Sequence, residues 1–188
     1  MRSSVFLLGI DPGLANMGWS VIELASWGEK LIETGVLRTE PSDKKRKVLA
    51  SDDNVRRGRD VATTLISVMG RHDISAICAE SMSFPRSSSA AAKMAMCWGT
   101  LATLSVLRNL PIIQASPQEI KKTLCGKNNA SKDDVEEAVK KRYGGTDIDL
   151  MLKAVAPSCR EHAYDSIAAV VTALEKSEVI RAIRGVVS

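Results

Sequence analysis

The chain has 188 residues with a formal net charge of +4, 45% hydrophobic and 26% charged, the composition of a soluble globular protein large enough for one real core. No apolar run reads as approaching a membrane span and no secretory signal is visible, so a cytoplasmic protein without a membrane partner is expected; the mild positive charge permits a polyanionic partner but does not demonstrate one. Four dispersed cysteines, Cys78, Cys97, Cys125 and Cys159, argue against a zinc site and against a disulfide framework.

Residues 5–22 set the organisation of the chain. An apolar run ends in Asp11, Pro12-Gly13 follows at once, and a second apolar run leads through Trp19 to Ile22. This predicts a buried central strand, a tight turn and an antiparallel partner. Asp11 then stands at the carboxyl end of a core strand. By itself it is either an ordinary Asp-Pro-Gly turn residue or a metal-binding carboxylate awaiting partners. Residues 31–38 read as a third strand closing a meander.

Residues 41–60 are basic, with Lys44, Lys45, Arg46, Lys47, Arg56, Arg57 and Arg59 outnumbering the acids. They read as a solvated loop, or as a phosphate contact leading into a helix. Val61, Leu65, Val68 and Met69 have helical spacing, ending near Gly70. Residues 74–79 form a second buried-type strand, again closed by a carboxylate, Glu80. A right-handed strand–helix–strand crossover makes this strand parallel to the first. Asp11 and Glu80 are therefore expected at the same sheet edge, where sites form in α/β folds.

A Ser-rich loop at 81–89 carries Phe84 and Arg86. The helix expected over 90–108 is apolar nearly all round, with a small-residue stripe at Ala91, Ala95, Gly99 and Ala102. Such a helix needs cover on both sides, from a second subunit or from within the chain. After a short strand at 111–115, Ser116-Pro117-Gln118-Glu119 and Ser131-Lys132-Asp133-Asp134 are capping boxes that open two helices. Residues 144–160 read as loop. A last helix starts near Glu161 and runs towards Arg184, with His162 and Asp165 sharing a face of its first turn.

Clustered carboxylates repel one another and take up protons unless a cation neutralises them. Mg²⁺ or Mn²⁺ suits oxygen ligands, and a pair of such ions supports phosphodiester cleavage. No G-x-S-x-G elbow and no P-loop is present, which sets aside acyl transfer and P-loop NTP hydrolysis.

Gly9-Ile10-Asp11-Pro12-Gly13 with Gly18-Trp19-Ser20-Val21, then Glu80, Lys121, Gly126, Lys132 and His162-Ala163-Tyr164-Asp165, together resemble the RuvC family of Holliday junction resolvases over about residues 5–175. The resemblance implies an α/β, RNase H-like fold: a mixed five-stranded sheet flanked by helices, with residues 1–188 as a single nuclease domain. It also implies a homodimer that nicks opposed strands of branched DNA, a four-way junction, with two metal ions per active site, Mg²⁺ or alternatively Mn²⁺. On the same basis Asp11, Glu80, His162 and Asp165 are the catalytic, metal-binding set, and Lys121, Lys132, Phe84 and Arg86 the DNA contacts. Phe84 lies one residue further from Glu80 than the family pattern, and a packing role competes with a junction role. The segments 41–60 and 144–160 look longer than in bacterial enzymes of the family, which suggests a divergent member of viral or organellar type. A looser branched-DNA or RNA nuclease and a non-catalytic nucleic-acid-binding module are the competing functions.

Overall fold

The computed structural model describes residues 4–82 and 87–185. Strand β1 (Ser4–Asp11) buries Leu7, Leu8 and Ile10 completely, so its apolar run lies between two covered faces, as a central strand requires. It pairs antiparallel with β2 (Asn16–Ala25), which pairs antiparallel with β3 (Gly28–Arg38). On its other side β1 is parallel to β4 (Ile74–Glu80), and β4 is parallel to β5 (Ile112–Ala115). The order β3-β2-β1-β4-β5 is the mixed five-stranded sheet expected.

Helices α1 (Ala50–Arg71) and α2 (Ser88–Arg108) cover one face, packing Val61, Leu65, Cys97 and Leu101 onto Leu8, Ile10 and Ile77. The other face carries α3 (Pro117–Cys125), α4 (Lys132–Tyr143), α5 (Gly145–Met151), α6 (Arg160–Lys176) and α7 (Glu178–Arg184). Both predicted capping boxes form, at Ser116 with Glu119 and at Ser131 with Asp134, and Gly126 ends α3 at φ 72°. Helix α6 lies directly on the sheet. A Cβ on Gly9 would overlap the carbonyl oxygen of Ser166, and one on Gly18 that of His162. Only glycine at these two strand positions lets the helix backbone come so close.

Four expectations need correction. Half of the basic segment is helix, since α1 begins at Ala50 after a single 3₁₀ turn at Lys44–Arg46. Asp53 draws the preceding loop onto the helix by accepting from Ser42 N (3.0 Å) and Ser42 Oγ (2.7 Å). Residues 144–160 contain α5 and a 3₁₀ turn at Pro157–Cys159; α5 is too short to show periodicity, and only Ile148 and Leu152 anchor it in the core. The last helix is two helices, because Ser177 caps α7 by accepting from Ile180 N (3.4 Å).

The fourth concerns α2. By length and composition this helix is apolar enough to cross a membrane, contrary to expectation, because Ala, Met and Leu are spread round its whole circumference. Within the chain one side is covered, burying Cys97, Leu101 and Leu104, while Val106 and Leu107 on the other are 81% and 73% exposed. The cysteines are free, as expected.

Candidate active site

Asp11 closes β1 and Glu80 closes β4. The strands run parallel with Ile10 opposite Ala79, so the two carboxylates leave the sheet side by side at its carboxyl edge. His162 and Asp165 reach the same edge from the first two turns of α6, held there by the close approach at Gly18. The ring Nδ1 of His162 lies 2.7 Å from Asp11 Oδ2. An ionised carboxylate offers only lone pairs, so Nδ1 is the protonated nitrogen and donates. In the neutral ring this leaves the Nε2 lone pair free.

The electrostatics show how tightly the acids are gathered. Burial, then repulsion by Asp11 and Asp165, pushes Glu80 from an ordinary 4.5 up to about 7, with Lys132 and Lys121 opposing. Burial and then Asp11 push Asp165 up to about 6, against the pull of Lys132 and His162. The hydrogen bond to Asp11 raises the pKa of His162, outweighing burial.

Among the described residues, no three His, Cys, Asp or Glu side chains converge as they stand on a point suited to a metal ion; Asp11 and His162 hydrogen-bond to each other instead. The chemistry of the set still fits a hard divalent cation. Three carboxylates supply oxygen ligands, two of them, Glu80 and Asp165, with a raised proton affinity that a cation relieves, and His162 supplies one nitrogen.

Of the residues expected to meet DNA, Lys121 and Lys132 both lie within electrostatic reach of Glu80. The Lys132 ammonium donates to Glu161 Oε2 at 2.5 Å. Phe84 and Arg86 lie outside the described residues. Sequence reasoning missed Glu161, whose one signal was its place beside His162. It is 3.9 Å from the His162 ring and, with Lys132, Tyr164 and Asp165, lines a cavity of about 220 Å³. A larger cavity of about 570 Å³ lies at the opposite end of β3, by α5, where Arg142 and Tyr143 are bonded to Glu29.

The family model for the crossover junction endodeoxyribonuclease RuvC matches residues 7–173. The RuvC of Prochlorococcus marinus (strain MIT 9303) is 32% identical over 133 residues, covering 71% of this chain and 80% of that protein. That of Synechococcus sp. (strain CC9902) is 32% identical over 143 residues, covering 75% and 85%. Among solved structures, Thermus thermophilus RuvC in complex with a Holliday junction substrate superposes with a TM-score of 0.68 at 22% identity, covering 89% of this chain and 92% of that one. The yeast mitochondrial Holliday junction resolvase Ydc2 gives 0.63 at 12% identity, covering 96% and 84%. The two structures share the fold; the family match spans nearly the whole chain, and the protein belongs to the RuvC family of crossover junction endodeoxyribonucleases.

Proposed function

We propose that this protein resolves four-way DNA junctions as a crossover junction endodeoxyribonuclease, nicking opposed strands by metal-dependent phosphodiester hydrolysis. The observation that carries the reading is the gathering of Asp11, Glu80, His162 and Asp165 at one sheet edge from the two ends and the middle of a RuvC-family chain. These four residues hold the cations, with Asp11 central because it touches His162 and acts on both other carboxylates. Mg²⁺ (Mn²⁺ is the alternative), two ions per site, supplies Lewis-acid stabilisation of the phosphate and a water of lowered pKa. Lys132 and Lys121 face the scissile phosphate, Lys132 exchanging Glu161 for a phosphate oxygen when DNA arrives.

Paired nicks need two sites, and the outer face of α2 supports a homodimer. Ala92, Ala95, Gly99, Ala102 and Val106 are all exposed along it, a small-residue stripe against which a second helix backbone can pack. The buried inner face at Leu101 and Leu104 favours this over a membrane span. Residues 1–188 act as one nuclease domain, and the bacterial relatives favour action in the cytoplasm.

The test is cleavage of a synthetic mobile four-way junction beside a linear duplex of matching sequence, with Mg²⁺ and with chelator. Symmetric, metal-dependent nicks confined to the junction are expected, and Asp11→Asn abolishes them. Comparable cutting of forks, flaps and duplex would replace the reading with a general branched-DNA nuclease. Binding without cutting would make the protein a silent binding module.

A further inference from the structure

Arg57, two turns into α1, is only 3% exposed. The carboxylates on either side of it along the helix, Asp53 and Asp60, pair with Arg56 instead. Burying a guanidinium without a carboxylate partner is costly, so where its donors go is informative. Nε donates to Thr39 Oγ1 at 2.8 Å and Nη2 to the Thr39 carbonyl oxygen at 3.3 Å.

Thr39 is itself buried, at the end of β3. A guanidinium can only donate, so the Thr39 hydroxyl accepts from it and its own hydrogen is directed elsewhere. It goes to the Leu14 carbonyl oxygen, while Thr39 N donates to the Ala15 carbonyl oxygen at 2.8 Å. Two successive carbonyls of the turn that follows Asp11 are therefore held by one residue, whose hydroxyl is oriented by one buried cation. This clamp adds to what already holds Asp11, its ladder pairing with Gly18 and its hydrogen bond with His162, by fixing the turn that leads directly out of it.

We propose that Arg57, acting through Thr39, is a positioning residue for the Asp11 carboxylate. The inference deepens the nuclease reading and rests on it. Thr39→Val keeps the side-chain shape and removes the hydroxyl, and Thr39→Ser keeps the hydroxyl. Four quantities are compared with the parent protein: melting temperature, junction affinity in chelator, single-turnover cleavage at saturating junction across a Mg²⁺ titration, and amide hydrogen exchange over residues 13–17.

Thr39→Val is expected to bind the junction within about twofold of the parent, yet to cleave at least about tenfold more slowly, the scale of loss when a reacting group shifts by a fraction of an ångström. Its Mg²⁺ midpoint rises, the turn amides exchange faster, and Thr39→Ser restores all three. Parent-like cleavage and Mg²⁺ midpoint in folded Thr39→Val overturn the proposal, as does a Thr39→Ser protein as slow as Thr39→Val. If Thr39→Val does not fold, Arg57→Lys, which keeps the charge and loses the fork of donors, carries the same test: slowed cleavage with intact binding supports the clamp and parent-like kinetics overturn it. Should the parent not cleave junctions at all, the nuclease reading fails separately. Exchange at the turn then decides, faster in Thr39→Val if the clamp is real and unchanged if it is not.

Discussion

Glu80→Gln separates the electrostatics of the site from its catalysis. The Glu80 carboxyl titrates near 7 in the folded protein against an ordinary 4.5. A group whose pKa is raised on folding contributes stability that is fully present below the unfolded value and lost as pH climbs through the folded one. Between about pH 4.5 and 7 the metal-free protein therefore loses about 3 kcal/mol at this one residue, at roughly 1.4 kcal/mol per unit. Glutamine stands in for the protonated acid at every pH. In chelator, Glu80→Gln should match the parent near pH 4.5 and exceed it by about 3 kcal/mol at pH 8, a melting temperature higher by about 6–12 °C for a chain of this size. Urea or thermal unfolding at several pH values measures this, and Mg²⁺ at pH 8 should raise the parent far more than the variant. Equal stabilities at pH 8 in chelator would show that the carboxylate is not held in a buried, repulsive cluster, and the assignment of this edge as a cation site would lose its physical basis.

Other substitutions test the remaining contacts. Metal binding must displace protons from Glu80 and Asp165 and from the raised His162, so the Mg²⁺ midpoint for cleavage should fall as pH rises from 6 to 8; a flat dependence would contradict the shifted acids. Gly18→Ala should destabilise by about 1–3 kcal/mol, as overpacking does, and remove cleavage, because the added methyl meets the His162 carbonyl; calorimetry with the junction assay reports both. Glu161→Gln spares Lys132 the exchange of partners, so junction affinity should rise, while Lys132→Ala should lower the salt dependence of junction binding by about one phosphate contact; an unchanged slope in Lys132→Ala removes Lys132 from the DNA surface. Gly99→Glu adds a side chain whose Cβ meets nothing in the single chain. It should leave folding intact and shift sedimentation from dimer to monomer, whereas a monomeric parent refutes the α2 interface.

How much of this was legible in the sequence depended on whether a signal was local. The β1 and β4 runs with their terminal acids, the capping boxes at Ser116 and Ser131, and the i, i+3 pair His162–Asp165 each carry their information within a few residues, and all were read correctly. Helix α5 and the start of α1 were not, because one rests on two apolar anchors and the other hides under a run of charge. Arg57 reads, with the rest of its basic segment, as solvated or as a phosphate contact, since burial of a cation by a threonine 18 positions earlier leaves no mark on local periodicity. The same holds for the approach of α6: Gly9 and Gly18 were legible as parts of a motif, while what they make room for appears only in three dimensions.

Asp11 and His162 touch across 151 positions of sequence. Asp11 enters the chain with the first strand, whereas His162 and Asp165 come with the helix that must dock on β1 and β2 almost last. A growing or truncated chain can pair β1 with β2 and even with β4, yet it has only two of the three acids and lacks His162. Cutting competence thus arrives in one step with completion of the core. The order of synthesis itself keeps a half-made nuclease from acting on DNA.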